Sequence, residues 1–108
     1  MSGLYNQENI IRLGQVTDSL DIEIPNEILD IIGENLKIDF LLGAASILVS
    51  KADDRYYTGV EATCSPENVL RLTDGIKAKM RLEPQTPVLC KYHHDGGYLV
   101  IKRLEKHT

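Results

Sequence analysis

Cys90, His93 and His94 form the tightest grouping of metal-capable side chains in the sequence. A Cys-x-x-His spacing can supply two zinc ligands, but a structural site takes four. Cys64 would have to be brought in by folding, and no fourth ligand stands out. In a strand, His93 and His94 point to opposite faces. The expectation is no metal and no other cofactor. Cys64 precedes Ser65-Pro66, where a helix start would lower its pKa and make it a nucleophile candidate. Nucleophilic chemistry also needs an orienting third group and an oxyanion-stabilising turn, and neither is legible. Gly96-Gly97 falls in a hairpin rather than ahead of a helix, so it is not a phosphate loop. The carboxylates are scattered without an apolar pairing. Together these observations predict a non-enzyme with no catalytic residues.

Composition narrows the class. The chain has 108 residues, 12 Lys+Arg and 16 Asp+Glu, for a net charge of −4, and 43% hydrophobic residues. This is the profile of one globular domain spanning 1–108. Net acidity argues against a protein that coats nucleic acid. Two widely spaced cysteines point to a reducing, intracellular setting. The first residues lack the basic-then-apolar order of a secretory signal. The most apolar run, Phe40 to Val49, is about half the ~20 residues a membrane span needs, so no membrane partner is expected. Charge is uneven: residues 1–61 carry 11 acids and 4 bases, residues 62–108 carry 5 acids and 8 bases. Lys77, Lys79 and Arg81 form the densest basic cluster and a candidate for weak nucleic-acid contact.

Periodicity predicts the elements that would position these groups. Ile10, Leu13 and Val16 recur at helical spacing over Gln7–Ser19, with Asn6 as cap. Pro25 and Asn26 mark a second start. From Glu27 to Lys51, two apolar stripes predict a long central helix: Leu29, Ile32, Leu36, Phe40, Ala44 and Ile47 form one, Ile28, Ile31, Ile38, Leu41, Ala45 and Leu48 the other. Past Phe40 it is apolar nearly all round, and such a helix must be covered on most sides. Ser65-Pro66-Glu67 predicts a third helix, continued by Val69, Leu72, Ile76 and Met80. Asp95-Gly96, a preferred type I′ pair, predicts a C-terminal hairpin with Lys91 facing Val100. Val88, Cys90, Tyr92, Leu99 and Ile101 then share one face. No internal repeat is apparent. The reading is mostly α, with a helical core over 6–82 and a hairpin over 86–105.

Short helix, long helix, short helix is the order of a histone fold. The stretch Gln15-Val16-Thr17-Asp18-Ser19-Leu20-Asp21-Ile22 is similar to the first helix and turn of the histone-fold subunits of TFIID and SAGA, in the class that resembles histone four. Leu29 to Arg55 looks like its long helix. Cys64-Ser65-Pro66-Glu67-Asn68-Val69 resembles its capped third helix, and Glu83-Pro84 its following Glu-Pro. The resemblance implies a histone-fold subunit that heterodimerises in a nuclear transcription or chromatin assembly. Leu13, Val16, Leu29, Ile32, Leu36, Phe40, Ala44, Ile47, Val69 and Leu72 would form the partner interface. The alternative is an α+β protein with its long helix packed on a small antiparallel sheet, residues 56–63 adding a strand. It would act as a regulatory or viral inhibitor protein binding a protein or small ligand, as a monomer or homodimer.

Overall fold

Gly33 decides the course of the chain. The computed structural model describes residues 9–40 and 45–104. In it the helix entered at Asn26 ends at Ile32, where Gly33 takes φ +86°. The elements are β1 (Ile10–Val16), β2 (Ile22–Glu23), α1 (Asn26–Ile32), β3 (Asn35–Phe40), β4 (Ser46–Lys51), β5 (Val60–Thr63), β6 (Val69–Leu70), α2 (Asp74–Met80), β7 (Pro87–His93) and β8 (Tyr98–Arg103). The predicted long helix over 27–51 is therefore a short helix followed by two strands. After Gly33, Leu36 and Ile38 are buried, while Lys37 between them and Asp39 after them are not. That alternation has the period of a strand. In β4, Ile47 and Val49 point inward in the same way. Short apolar runs fit both periods, and the glycine is what breaks the tie.

The two outer helices are corrected as well. Over its described part, the expected Gln7–Ser19 helix is β1 up to Val16 and then the start of a turn; Asn6 lies outside the described residues. Ser65 starts no helix: its Oγ accepts from the N–H groups of Glu67 and Val69 in a tight turn between β5 and β6. The helix instead begins beyond Thr73, whose Oγ1 accepts from the N–H of Ile76. The histone-fold expectation, and with it the mostly α class, is thus overturned. The α+β alternative falls too, since it also required the long helix. Residues 60–63 do form a strand, but it pairs with β3 rather than with the hairpin.

All eight strands join one antiparallel sheet in the order β5-β3-β4-β8-β7-β1-β2-β6. A Cys64–Leu70 bridge brings the two ends together, so the sheet curls into a nearly closed barrel. The registers contain a repeat that the sequence reading lacked. A shift of 48 residues carries the Val16–Ile22 pair onto Cys64–Leu70. A shift of 52 carries Leu36–Lys51 onto Val88–Arg103, the extra residues lying between α2 and β7. Local details repeat with the strands. Thr17 Oγ1 accepts from the N–H of Asp21 as Ser65 Oγ does from Val69. Leu20 and Asn68 take φ of 66° and 68°.

Two ββαββ halves, 10–51 and 60–103, are therefore related by a pseudo-two-fold axis. It passes through the Ile22–Leu70 pair at one side and the Leu48–Val100 pair at the other. Ile22 and Leu70 are fully buried on the inside; Leu48 and Val100 are half-buried on the outside. The interior is filled by side chains from both halves, including Val16, Leu36, Val49, Met80, Val88 and Ile101, as in any small barrel.

Candidate binding surface

The barrel separates the residues that might have done chemistry together. Cys90 points into the core and is fully buried. His93 stacks on Tyr98 at 4.5 Å, while His94 meets the edge of Tyr92 at 5.1 Å. Among the described residues no group of three or more His, Cys, Asp or Glu could hold a metal ion. Burial pushes the Cys64 thiol up to about 11, with Glu34 adding to it, and the Cys90 thiol up to about 12. Both cysteines are free, and both stay protonated near neutrality. They are expected to react with a disulfide reagent at pH 8 far more slowly in the native protein than in denaturant. Stability should also depend on pH. Above about 9, the unfolded chain releases thiol protons that the folded chain retains, so unfolding gains ground as pH rises toward 11. Denaturant titrations across that window would show it; a flat profile would remove the thiols from the argument.

The ten expected interface residues scatter. Val16, Ile32, Leu36, Ile47 and Leu72 are buried, and Leu29, Phe40 and Val69 are partly buried. Ala44 lies outside the described residues. Leu13 is different, being 62% exposed. The basic cluster disperses also. Lys77 donates to the Ser19 carbonyl at 2.8 Å and pairs with Asp21 at 3.3 Å. Lys79 lies over the Phe40 ring, and Arg81 closes α2 with φ 53°.

Leu13 and its neighbour Ile11 share the outer face of β1, and both are exposed large apolar side chains. Leu13 stands directly opposite Leu89 on β7. The pseudo-two-fold provides an internal control. It carries the Leu13–Leu89 pair onto Glu61 and Lys37, which are opposite each other on β5 and β3. There Lys37 Nζ donates to the carbonyls of Asp54 and Tyr57. The same backbone position thus holds charge in one half and a leucine pair in the other, Leu13 exposed and Leu89 half-buried. The barrel itself does not require leucine there.

The strip ends at a groove. One stretch, about 410 Å³, runs between Leu13, Pro25 and Pro87 and reaches Asn26 and Asn68. A second, about 370 Å³, lies by Asp18 and Gln85. Gln15 and Glu23 line both and are cross-strand partners on β1 and β2. Gly14 lets β1 pack closely there, since a Cβ would fall 2.7 Å from the Glu23 carbonyl oxygen and 3.0 Å from the buried Cys90 Sγ.

A third feature is aromatic. The loop between β4 and β5 is fastened over the tip of the β7–β8 hairpin. Tyr57 Oη donates to the Gly96 carbonyl at 2.7 Å, and its ring lies 5.8 Å from that of Tyr98. Burial, followed by the charge of Asp54, raises the Tyr57 pKa, and burial together with Lys91 lowers that of His93. Gly96 makes room, because a Cβ there would strike the Tyr98 ring. This cluster reads as a clamp. Ser50, opposite both Lys37 and Tyr98, is fully buried with its Oγ unpaired. At 0% exposure, its side chain is out of a ligand's reach.

The class these features define is a pseudo-symmetric eight-stranded barrel made of two interlocked halves, with an asymmetric outer surface. Comparison with known families, curated proteins and solved structures finds no match. Among the described residues, no helix is long and apolar enough to cross a membrane.

Proposed function

We propose that the protein is a non-catalytic binding module that docks a partner protein on the strip formed by Ile11, Leu13 and Leu89. One observation carries this reading: an exposed Leu13 pairs with a half-buried Leu89 where the other half of the barrel places Glu61 and Lys37. Exposed apolar side chains standing singly are ordinary, but a contiguous strip beside a groove marks an interaction site. Pairing of two proteins, which the sequence reading assigned to a long helix, passes here to a sheet face.

The test uses peptides selected from a displayed library against the full chain. Leu13→Asp should weaken the selected peptides about tenfold or more, as expected when burial of a leucine, worth about 1.5–3 kcal/mol, is lost. Glu61→Ala, at the pseudo-equivalent position, should leave them unaffected. Peptides that bind Leu13→Asp as well as the unaltered chain would end the proposal.

A further inference from the structure

The groove beside the strip carries charge of one sign. Its two stretches are lined by the carboxylates of Glu23 and Asp18 and by the carboxamides of Gln15, Asn26, Asn68 and Gln85, with no Lys, Arg or His in either lining. Some of these groups are occupied with one another. Gln85 Nε2 donates to Asp18 Oδ1 at 2.6 Å, Gln15 Nε2 to Gln85 Oε1 at 3.1 Å, and Asn68 Nδ2 to Asn26 Oδ1 at 2.5 Å. The Glu23 side chain has no hydrogen-bond or ion-pair partner among the described residues, although it stands where both stretches meet. Glu27, an exposed acid in the first turn of α1, is already held by Arg12 at 2.7 and 3.0 Å. The pseudo-two-fold again supplies the contrast, since it places Arg71 at the position equivalent to Glu23.

We infer that this groove selects a basic residue, lysine or arginine, in an extended segment of the partner protein. The inference rests on the docking reading above and adds the partner's chemistry to it. Apolar residues of the segment lie on Leu13 and Leu89, and the basic side chain continues past Pro87 and Pro25 to the Glu23 carboxylate. The carboxamides are hydrogen-bond donors and acceptors suited to the main chain of the segment. Nucleic acid is the opposite expectation, because phosphates would meet carboxylates here.

The experiment titrates the full chain with a synthetic peptide of alternating leucine and arginine, with its citrulline counterpart, and with duplex DNA. Nitrogen–proton spectra follow the side-chain amides of Gln15, Asn26 and Asn68. The arginine peptide should bind about tenfold tighter than the citrulline peptide, the scale of a charge-assisted hydrogen bond, and should shift those amides. Glu23→Gln, an exposed substitution, should erase the preference. Equal affinity for the two peptides, a preference that survives Glu23→Gln, or DNA shifting the same amides would each overturn the inference. The docking reading fails separately, if Leu13→Asp leaves the affinity for the arginine peptide unchanged.

Discussion

Cutting the chain between Ala52 and Asp53 should give two fragments that are unfolded apart and fold on mixing. The expectation follows from the pairing pattern. The sheet joins β1 to β7, β2 to β6, β3 to β5 and β4 to β8, and each of those ladders crosses from one half to the other. Alone, the first half retains only the β1–β2 and β3–β4 pairings. Isolated hairpins are marginal in water, and the inward side chains of each half are covered mainly by the other. Circular dichroism and amide exchange should show disorder for 1–52 and for 53–108 separately. Mixed at equal concentration, they should recover the protection pattern of the intact chain as a one-to-one complex. Native-like protection in either fragment by itself would show that the halves are independent domains laid side by side.

A second large effect is expected at Lys77. Asp21 is 4% exposed; its carboxylate accepts from the Leu72 N–H at 3.0 Å and faces Lys77 Nζ at 3.3 Å. The contact ties the β1–β2 turn of one half to the helix of the other. Removing one member of a buried pair leaves the other uncompensated. Lys77 is one-fifth exposed, so the cost of Lys77→Met is set at the low end, about 2 kcal/mol. For a domain of this size that corresponds to a fall in Tm of roughly 10 °C. Adding Asp21→Asn should cost less than the sum of the single changes, with a coupling of about 1 kcal/mol or more. The pseudo-equivalent positions are Val69 and Leu29, an apolar pair, so the barrel tolerates an uncharged solution there. A Lys77→Met protein as stable as the parent would show that the pair contributes nothing.

The hairpin was the most legible element. Lys91 faces Val100 as expected, and Val88, Cys90, Leu99 and Ile101 are buried together. Strict alternation around a glycine-rich corner leaves little room for another register. The corner itself differs: the loop is four residues long and positive φ falls at Gly97, not at Asp95-Gly96, because Gly96 must pass beneath the Tyr98 ring. The start of α1 near Pro25-Asn26 was also legible, but Asn26, expected as its cap, is its first residue, and no side chain caps it. β1 was not. Arg12 and Gly14 occupy its inner face in place of apolar side chains, so the alternation failed and Ile10, Leu13 and Val16 were left at helical spacing. Arg12 is there because it reaches Glu27, a contact set by folding. The repeat was hidden for a related reason. Among the aligned positions only Ile28 and Ile76 are identical, while Ile22 and Leu70, Leu36 and Val88, and Val49 and Ile101 agree in size and burial alone. Leu13 entered the expected interface on helical spacing, and a strand is what puts it in water. Glu23 and Gln15 gave no signal, since they converge only when β1 meets β2.

Covalent connection of the two halves has a consequence for valency. In a barrel assembled from two identical polypeptides, any residue favourable at one pole is duplicated at the other, and the assembly bridges two copies of whatever it binds. Here leucines face lysine and glutamate across the axis, and glutamate faces arginine. The molecule consequently has a front and a back. On the docking reading proposed above, it would engage its target as a monovalent plug, capping a single copy rather than cross-linking two.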